Sequence, residues 1–278
     1  ISLAMADVTA AGLYIQYWLP GVERWVPSLI ILCFLFAMNL MAVKVFGELE
    51  FWFALIKVIA ILGLIVGGAI LIYTGATTDA GAMTFANLWQ NGGWFPNGTS
   101  GFILSFQMVV FAFTGIELVG LTAGETENPK KVIPQAINNI PIRIIIFYVG
   151  ALAVIMSIYP WTVVSPSSSP FVQVFTVAGI TAAAAIVNFI VLTSAASACN
   201  SGLFSTSRMV YTLAREGNAP HMMFRLRSNH VPMNAVVFSA LVIFIAVVLQ
   251  YIMPESVFVF ITSISTFCFI SIFFYIVI

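Results

Sequence analysis

The sequence predicts an all-α polytopic membrane protein, and three observations carry that prediction. Apolar residues make up 61% of the 278 and charged residues 7%, whereas a soluble domain carries roughly 25% charged residues. Ten basic and ten acidic side chains could not cover a soluble core of this size, so the bilayer is the fitting solvent. The apolar residues gather into eight runs, most of them near the ~20 residues that cross a hydrocarbon core as a helix. Runs of this length are helical, because alternating strands of ~10 residues mark a membrane barrel. Third, the basic residues sort onto one side of the runs. Formal net charge is zero, which favours no nucleic acid or acidic partner.

The first run, 2–19, ends on Tyr17 and Trp18 and reads as the tail of a longer helix. The second, 26–43, is closed by Lys44, and the third is 51–73. The loop 74–100, rich in Gly, Asn, Thr and Trp, reads as a structured cap. It holds the sequon Asn97-Gly98-Thr99, a triplet common by chance. Runs at 101–123 and 142–164 follow, then a turn-forming stretch from Ser165 to Pro170. Residues 171–178 could form a short re-entrant or surface helix at the start of the sixth run, 174–200. The last two runs are 233–252 and 256–278. The chain opens on Ile1, with no start Met or basic leader, and closes inside an apolar run at Ile278. Both ends therefore read as cuts through a longer protein.

Orientation follows from charge. Lys44, Lys130, Lys131, Arg143, Arg208, Arg215, Arg225 and Arg227 lie after the second, fourth and sixth runs, and only Arg24 lies opposite. That bias makes the first set cytoplasmic. Trp18, Trp25, Trp89, Trp94, Tyr159 and Trp161 cluster on the other side as an interfacial belt. Cys33, Cys199 and Cys268 sit in apolar runs without CxxC spacing, and His221 and His230 share one polar loop. Neither set suggests a metal, a disulfide or a cofactor.

The fourth run carries a carboxylate, Glu117, between Gly115 and Gly120. A charge at the bilayer centre costs about 2.5–3.5 kcal/mol, and each glycine weakens a helix by roughly 1 kcal/mol against alanine. Weak helix plus buried charge predicts a broken helix whose freed backbone groups bind a polar ligand; the plainer alternative is a Glu paired to a neighbouring helix for structure alone. Lys57 lies about two turns into the third run, where it can either snorkel to the surface or act within the membrane. Asp7, three turns below Tyr17 and Trp18, also falls at membrane depth. The sixth run holds Thr193, Ser194, Ser197, Cys199, Asn200 and Ser201 among small residues, a composition that suits close helix packing. Gly63-x-x-x-Gly67 and Gly120-x-x-x-Gly124 read the same way.

Several stretches resemble bacterial amino-acid permeases of the amino acid–polyamine–organocation superfamily. Phe46-Gly-Glu-Leu-Glu-Phe-Trp-Phe-Ala-Leu-Ile-Lys-Val58 is similar to the entry into their fifth helix, and Gly124-Glu-Thr-Glu-Asn-Pro-Lys-Lys131, with Pro134, to their signature after the sixth. Phe111 to Glu117 resembles their unwound sixth helix, and Ser197 to Arg208 the inner part of their eighth. The resemblance implies part of a LeuT-type 5+5 inverted-repeat transporter fold, helices three to ten of twelve, in the inner membrane of a bacterium. It also implies an amino-acid substrate and a coupling proton as partners. Residue by residue, it makes Phe111 the aromatic lid and Thr114 and Gly115 the unwound turn, with Ala112 and Phe113 beside them. Glu117 becomes the gating acid, and Lys57 the ammonium that stands in for a sodium ion. Ser194, Ser197, Asn200 and Asp7 are the further candidate contacts from helices eight and three.

Within the family, residues 194–208 and Phe111-Ala-Phe-Thr-Gly-Ile-Glu117 look most like D-serine/D-alanine/glycine permeases. Aromatic, lysine and γ-aminobutyrate permeases share the general pattern, and a sensor built on a permease scaffold would present the same site. A channel would show polar rings or a filter loop along a continuous pore, and an enzyme a catalytic cluster such as HExxH; the sequence offers neither.

Overall fold

Lipid offers no partner to a backbone N–H or C=O, so apolar runs of this length pair with themselves as helices. The computed structural model describes residues 1–40, 43–78, 81–116, 128–164, 169–226 and 231–277, of which 43–50, 53, 78, 177 and 277 are described by backbone alone. In chain order come α1 (Ser2–Ile15), α2 (Trp25–Asn39) and α3 (Val43–Tyr73). A small antiparallel pair follows, β1 (Thr77–Thr78) with β2 (Gly81–Ala82), in the register Thr77 to Ala82 and Thr78 to Gly81. Next are α4 (Asn87–Gln90), α5 (Gly98–Ala112) and α6 (Pro129–Ile144), which runs through a π-helical turn (Ile145–Gly150) into α7 (Ala151–Ile158). The chain continues with α8 (Pro170–Val177), α9 (Thr181–Arg215), α10 (Met233–Ile252) and α11 (Val257–Val277). Among the described residues, five stretches are long and apolar enough to cross a membrane: Ala54–Tyr73, Pro129–Ile158, Thr181–Arg215, Met233–Ile252 and Val257–Ile276. The helices α1, α2 and α5 are apolar and shorter.

Several boundaries differ from those read off hydropathy. The helix α5 stops at Ala112, inside the 101–123 run, and Gly115 beyond it has φ +99°. Only glycine adopts that backbone freely. The acid Glu117 and the stretch to Glu127 lie outside the described residues. The helix α6 starts well ahead of the 142–164 run, with Asn128 at φ 55° and Pro129 in its first turn. Proline suits that position because its missing N–H would have no helical partner there. Pro134 and Pro141 interrupt the ladder within α6, and the π turn follows the second. The 174–200 run is divided between α8 and α9 at Gly179 (φ +76°), where Ile180 N–H donates to Phe175 O at 2.8 Å and Gly179 N–H to Thr176 O at 3.0 Å. This paired closure ends a helix by satisfying its last carbonyls. The helix α9 then continues past the apolar run to Arg215.

The chain divides into two compact units. One comprises Ile1–Val58, Ser167–Ser169 and Ala185–Ser265. In it α1, α2 and α10 pack on one another through small side chains on α1, with Ala4, Ala6, Ala11 and Gly12 buried. A polar knot joins the three helices. Ser28 Oγ lies 2.6 Å from Gln250 Oε1 and 3.0 Å from Val8 O, and Gln250 Nε2 donates to Thr9 O at 3.0 Å. Gly12 makes room for the knot, since a Cβ there would run into Ser28 Oγ.

The second unit comprises Ile59–Pro166, Pro170–Ala184 and Thr266–Ile278. Its core gathers Leu64, Met83, Ala151, Val154, Ile155, Ile158, Tyr159 and Val174. Tyr159 is buried and donates its hydroxyl to Pro170 O at 2.8 Å. Lipid tails are as apolar as leucine, so such helix contacts gain from close packing rather than from leaving water.

Candidate functional site

In the first unit, α1, α3 and α9 bring ionisable and hydroxyl groups together. Lys57 Nζ donates to Ser197 Oγ at 3.0 Å, and Ser197 is 1% exposed. The carboxylate of Asp7 lies within electrostatic reach of Lys57 and of the Tyr14 and Cys199 side chains. Its Oδ2 is buried and accepts no hydrogen bond among the described residues. Burying a charge without partners is costly, so an acid and a lysine set near each other form a functional candidate more readily than a packing one. Lysine, unlike arginine, gives up its proton readily when buried.

Local sequence explains how these groups meet. Ser194, Ser197 and Asn200 lie at successive three-residue steps on α9, so they share a face. Ala195, Ala196 and Ala198 between them are small, and Gly202 lies so near α1 that an added Cβ would come within 2.8 Å of Ala4 Cβ. Small residues let helix backbones approach in this way. Asn200 turns to α2 instead of the lysine: Asn39 Nδ2 donates to its Oδ1 at 2.7 Å and to Leu35 O at 2.9 Å. Ser194 is half-buried one turn before Ser197.

In the second unit, residues 111–115 form the opened end of α5. Phe113 N–H donates to Val110 O at 3.2 Å and Thr114 N–H to Phe111 O at 3.1 Å. Thr114 Oγ1 also donates to Phe111 O, at 2.6 Å. Carbonyls at a helix C-terminus carry partial negative charge, so this end of α5 suits an ammonium group. Tyr148 reaches it from the π turn, its hydroxyl donating to Ala112 O at 2.9 Å.

The structure thus brings Asp7, Lys57 and Ser197 together and joins Asn200 to Asn39. It places Phe111, Ala112, Phe113, Thr114 and Gly115 on one short turn of the other unit. Reading the sequence passed over Asn39 and Tyr148. Asn39 was legible as a polar residue inside an apolar run; Tyr148 was legible as a hydroxyl far from the interfacial belt, which needs a partner when buried in lipid. Among the described residues no three His, Cys, Asp or Glu side chains gather closely enough to hold a metal ion.

Comparison with known proteins gives concordant matches. A family model described as amino acid permease matches residues 1–278. The chain is 69% identical over 270 residues to an uncharacterized transporter, YdgF, of Bacillus subtilis, covering 97% of this chain and 59% of that protein. It is 66% identical over 270 residues to the amino-acid permease AapA of the same organism, covering 97% and 58%. It is 51% identical over 268 residues to the D-serine/D-alanine/glycine transporter of Escherichia coli K12, covering 95% and 57%. The chain spans about three-fifths of the length of these curated relatives.

Proposed function

The chain belongs to the amino acid permease family, and from that premise we propose that the full-length protein carries small neutral amino acids across the bacterial inner membrane by proton symport. D-alanine, D-serine and glycine head the list of substrates. The observation that carries the substrate class is the 51% identity to a D-serine/D-alanine/glycine transporter over 95% of this chain. Two large rings, Phe111 and Phe113, beside a single opened turn favour a short side chain over an indole. Proton coupling draws its support from the Lys57–Ser197 contact and the neighbouring Asp7 carboxylate.

Uptake of labelled D-alanine into proteoliposomes, with a panel of competing amino acids, tests the reading. A hydrophobic pocket separates substrates by only ~1–3 kcal/mol per methylene, so glycine, serine and alanine compete with one another. Competition by tryptophan, lysine or γ-aminobutyrate, with none by glycine or serine, overturns the substrate class. Binding without counterflow of labelled substrate makes the protein a sensor rather than a carrier.

A further inference from the structure

When a helix ends, its last carbonyls lose their N–H partners and must find others. At the end of α5, the carbonyls of Val110 and Phe111 take the amides of Phe113 and Thr114. The next carbonyl, that of Ala112, accepts the hydroxyl of Tyr148 at 2.9 Å. The same side chain lays its ring on Phe113, with centroids 5.2 Å apart and planes 14° from parallel. Tyr148 therefore grips two consecutive residues of the opened turn by two different forces. It does so from the π-helical turn Ile145–Gly150, and single π turns within helices concentrate at functional sites because they re-aim side chains that a regular helix would point elsewhere. Its neighbours Ile145, Ile146, Phe147 and Val149 are all apolar, so the hydroxyl is the one polar side-chain group this turn offers.

We propose that Tyr148 is a positioning residue for substrate binding: it holds Phe111–Gly115 in the binding shape before the substrate arrives. The proposal rests on the transport reading above for its functional consequence, and on the geometry alone for the grip itself. If a binding-competent turn is formed only part of the time, apparent affinity falls by that fraction while saturating substrate restores the rate. A tyrosine that merely fills space would, on substitution, reduce the amount of folded carrier and hence the maximal rate, with half-saturation unchanged.

The test uses full-length protein carrying Tyr148→Phe, which keeps the ring stack and removes the hydrogen bond, and Tyr148→Leu, which removes both. Hydrogen–deuterium exchange across residues 108–116 reads the grip without any substrate. Exchange at the Phe113 and Thr114 amides is expected to quicken about three- to tenfold in Tyr148→Phe, the range of one neutral hydrogen bond, and further in Tyr148→Leu. In labelled D-alanine uptake, the half-saturating concentration is expected to rise several-fold, with the maximal rate per folded protein within about twofold of the parent. Unchanged exchange in both variants overturns the grip, whatever uptake does. Faster exchange with unchanged half-saturation overturns the positioning role. A parent protein that takes up no D-alanine counts against the transport reading, and the exchange arm still decides the grip.

Discussion

Lys57 Nζ and Ser197 Oγ lie 3.0 Å apart, tying α3 to α9 across 140 residues of sequence. Ser197 is almost fully buried and Lys57 half-buried, so an ammonium and a small polar group meet away from the surface of the unit. The Asp7 carboxylate stands close enough to act on the same ammonium. Such a group is costly to keep charged away from water unless its partners are in place.

Replacing Lys57 by alanine should therefore abolish accumulation driven by a pH gradient and leave exchange of internal for external amino acid. The companion variant Ser197→Ala should lower accumulation several-fold. Residues in one hydrogen-bonded network lose activity non-additively, so Lys57→Ala/Ser197→Ala should be no worse than Lys57→Ala alone. Uptake into proteoliposomes at stepped external pH measures all three. Intact pH-driven accumulation in Lys57→Ala would reduce the lysine to a snorkelling side chain.

Glu117→Gln is expected to slow turnover more than it weakens binding. The acid follows directly on the turn that opens after Ala112, a position from which it can act on closure of the site rather than on first contact. Comparing the maximal uptake rate with the half-saturating concentration decides the point. A large loss of affinity at an unaltered maximal rate makes Glu117 a direct ligand instead.

Gly12→Ala should destabilise the first unit. The added methyl meets Ser28 Oγ and the Arg24 carbonyl, and comes within 3.2 Å of Gln250 Nε2, and overpacking of this kind costs about 1–3 kcal/mol. Gln250→Leu should cost less, about 0.5–1.5 kcal/mol, because it removes one buried hydrogen bond while the Thr9 carbonyl keeps its partner in the helical ladder of α1. Thermal unfolding in detergent, followed by tryptophan fluorescence, should show a lowered Tm for both. A Gly12→Ala protein that melts with the parent would mean that α1 can shift to accommodate the methyl group.

Some of this was written in plain view. Gly115 marked the place near which α5 opens, because glycine both weakens a helix and tolerates φ +99°. Gly179 marked a second break: a short helix over 171–178 was legible, but its separation from the 174–200 run was hidden, since Val177, Ala178 and Ile180 keep the hydropathy high while the backbone turns. The continuation of α9 to Arg215 was hidden for the opposite reason. Its composition becomes polar after Asn200 while the backbone stays helical, and hydropathy follows the solvent rather than the hydrogen-bond ladder.

The sequence by itself determined that this chain is a set of membrane helices, because so few charges and so many long apolar runs leave the backbone no other way to satisfy itself in lipid. The resemblance of its motifs likewise reached the permease family from residues alone. Only the tertiary structure decided which polar groups share a partner: Lys57 with Ser197, Asn39 with Asn200, Ser28 with Gln250, Tyr148 with the Ala112 carbonyl. Each of these groups must find a partner away from water, and that requirement is legible in one dimension. Which partner comes within about 3 Å is set by how closely small residues such as Ala4, Gly12 and Gly202 let the helices approach, and that is a property of packing in three.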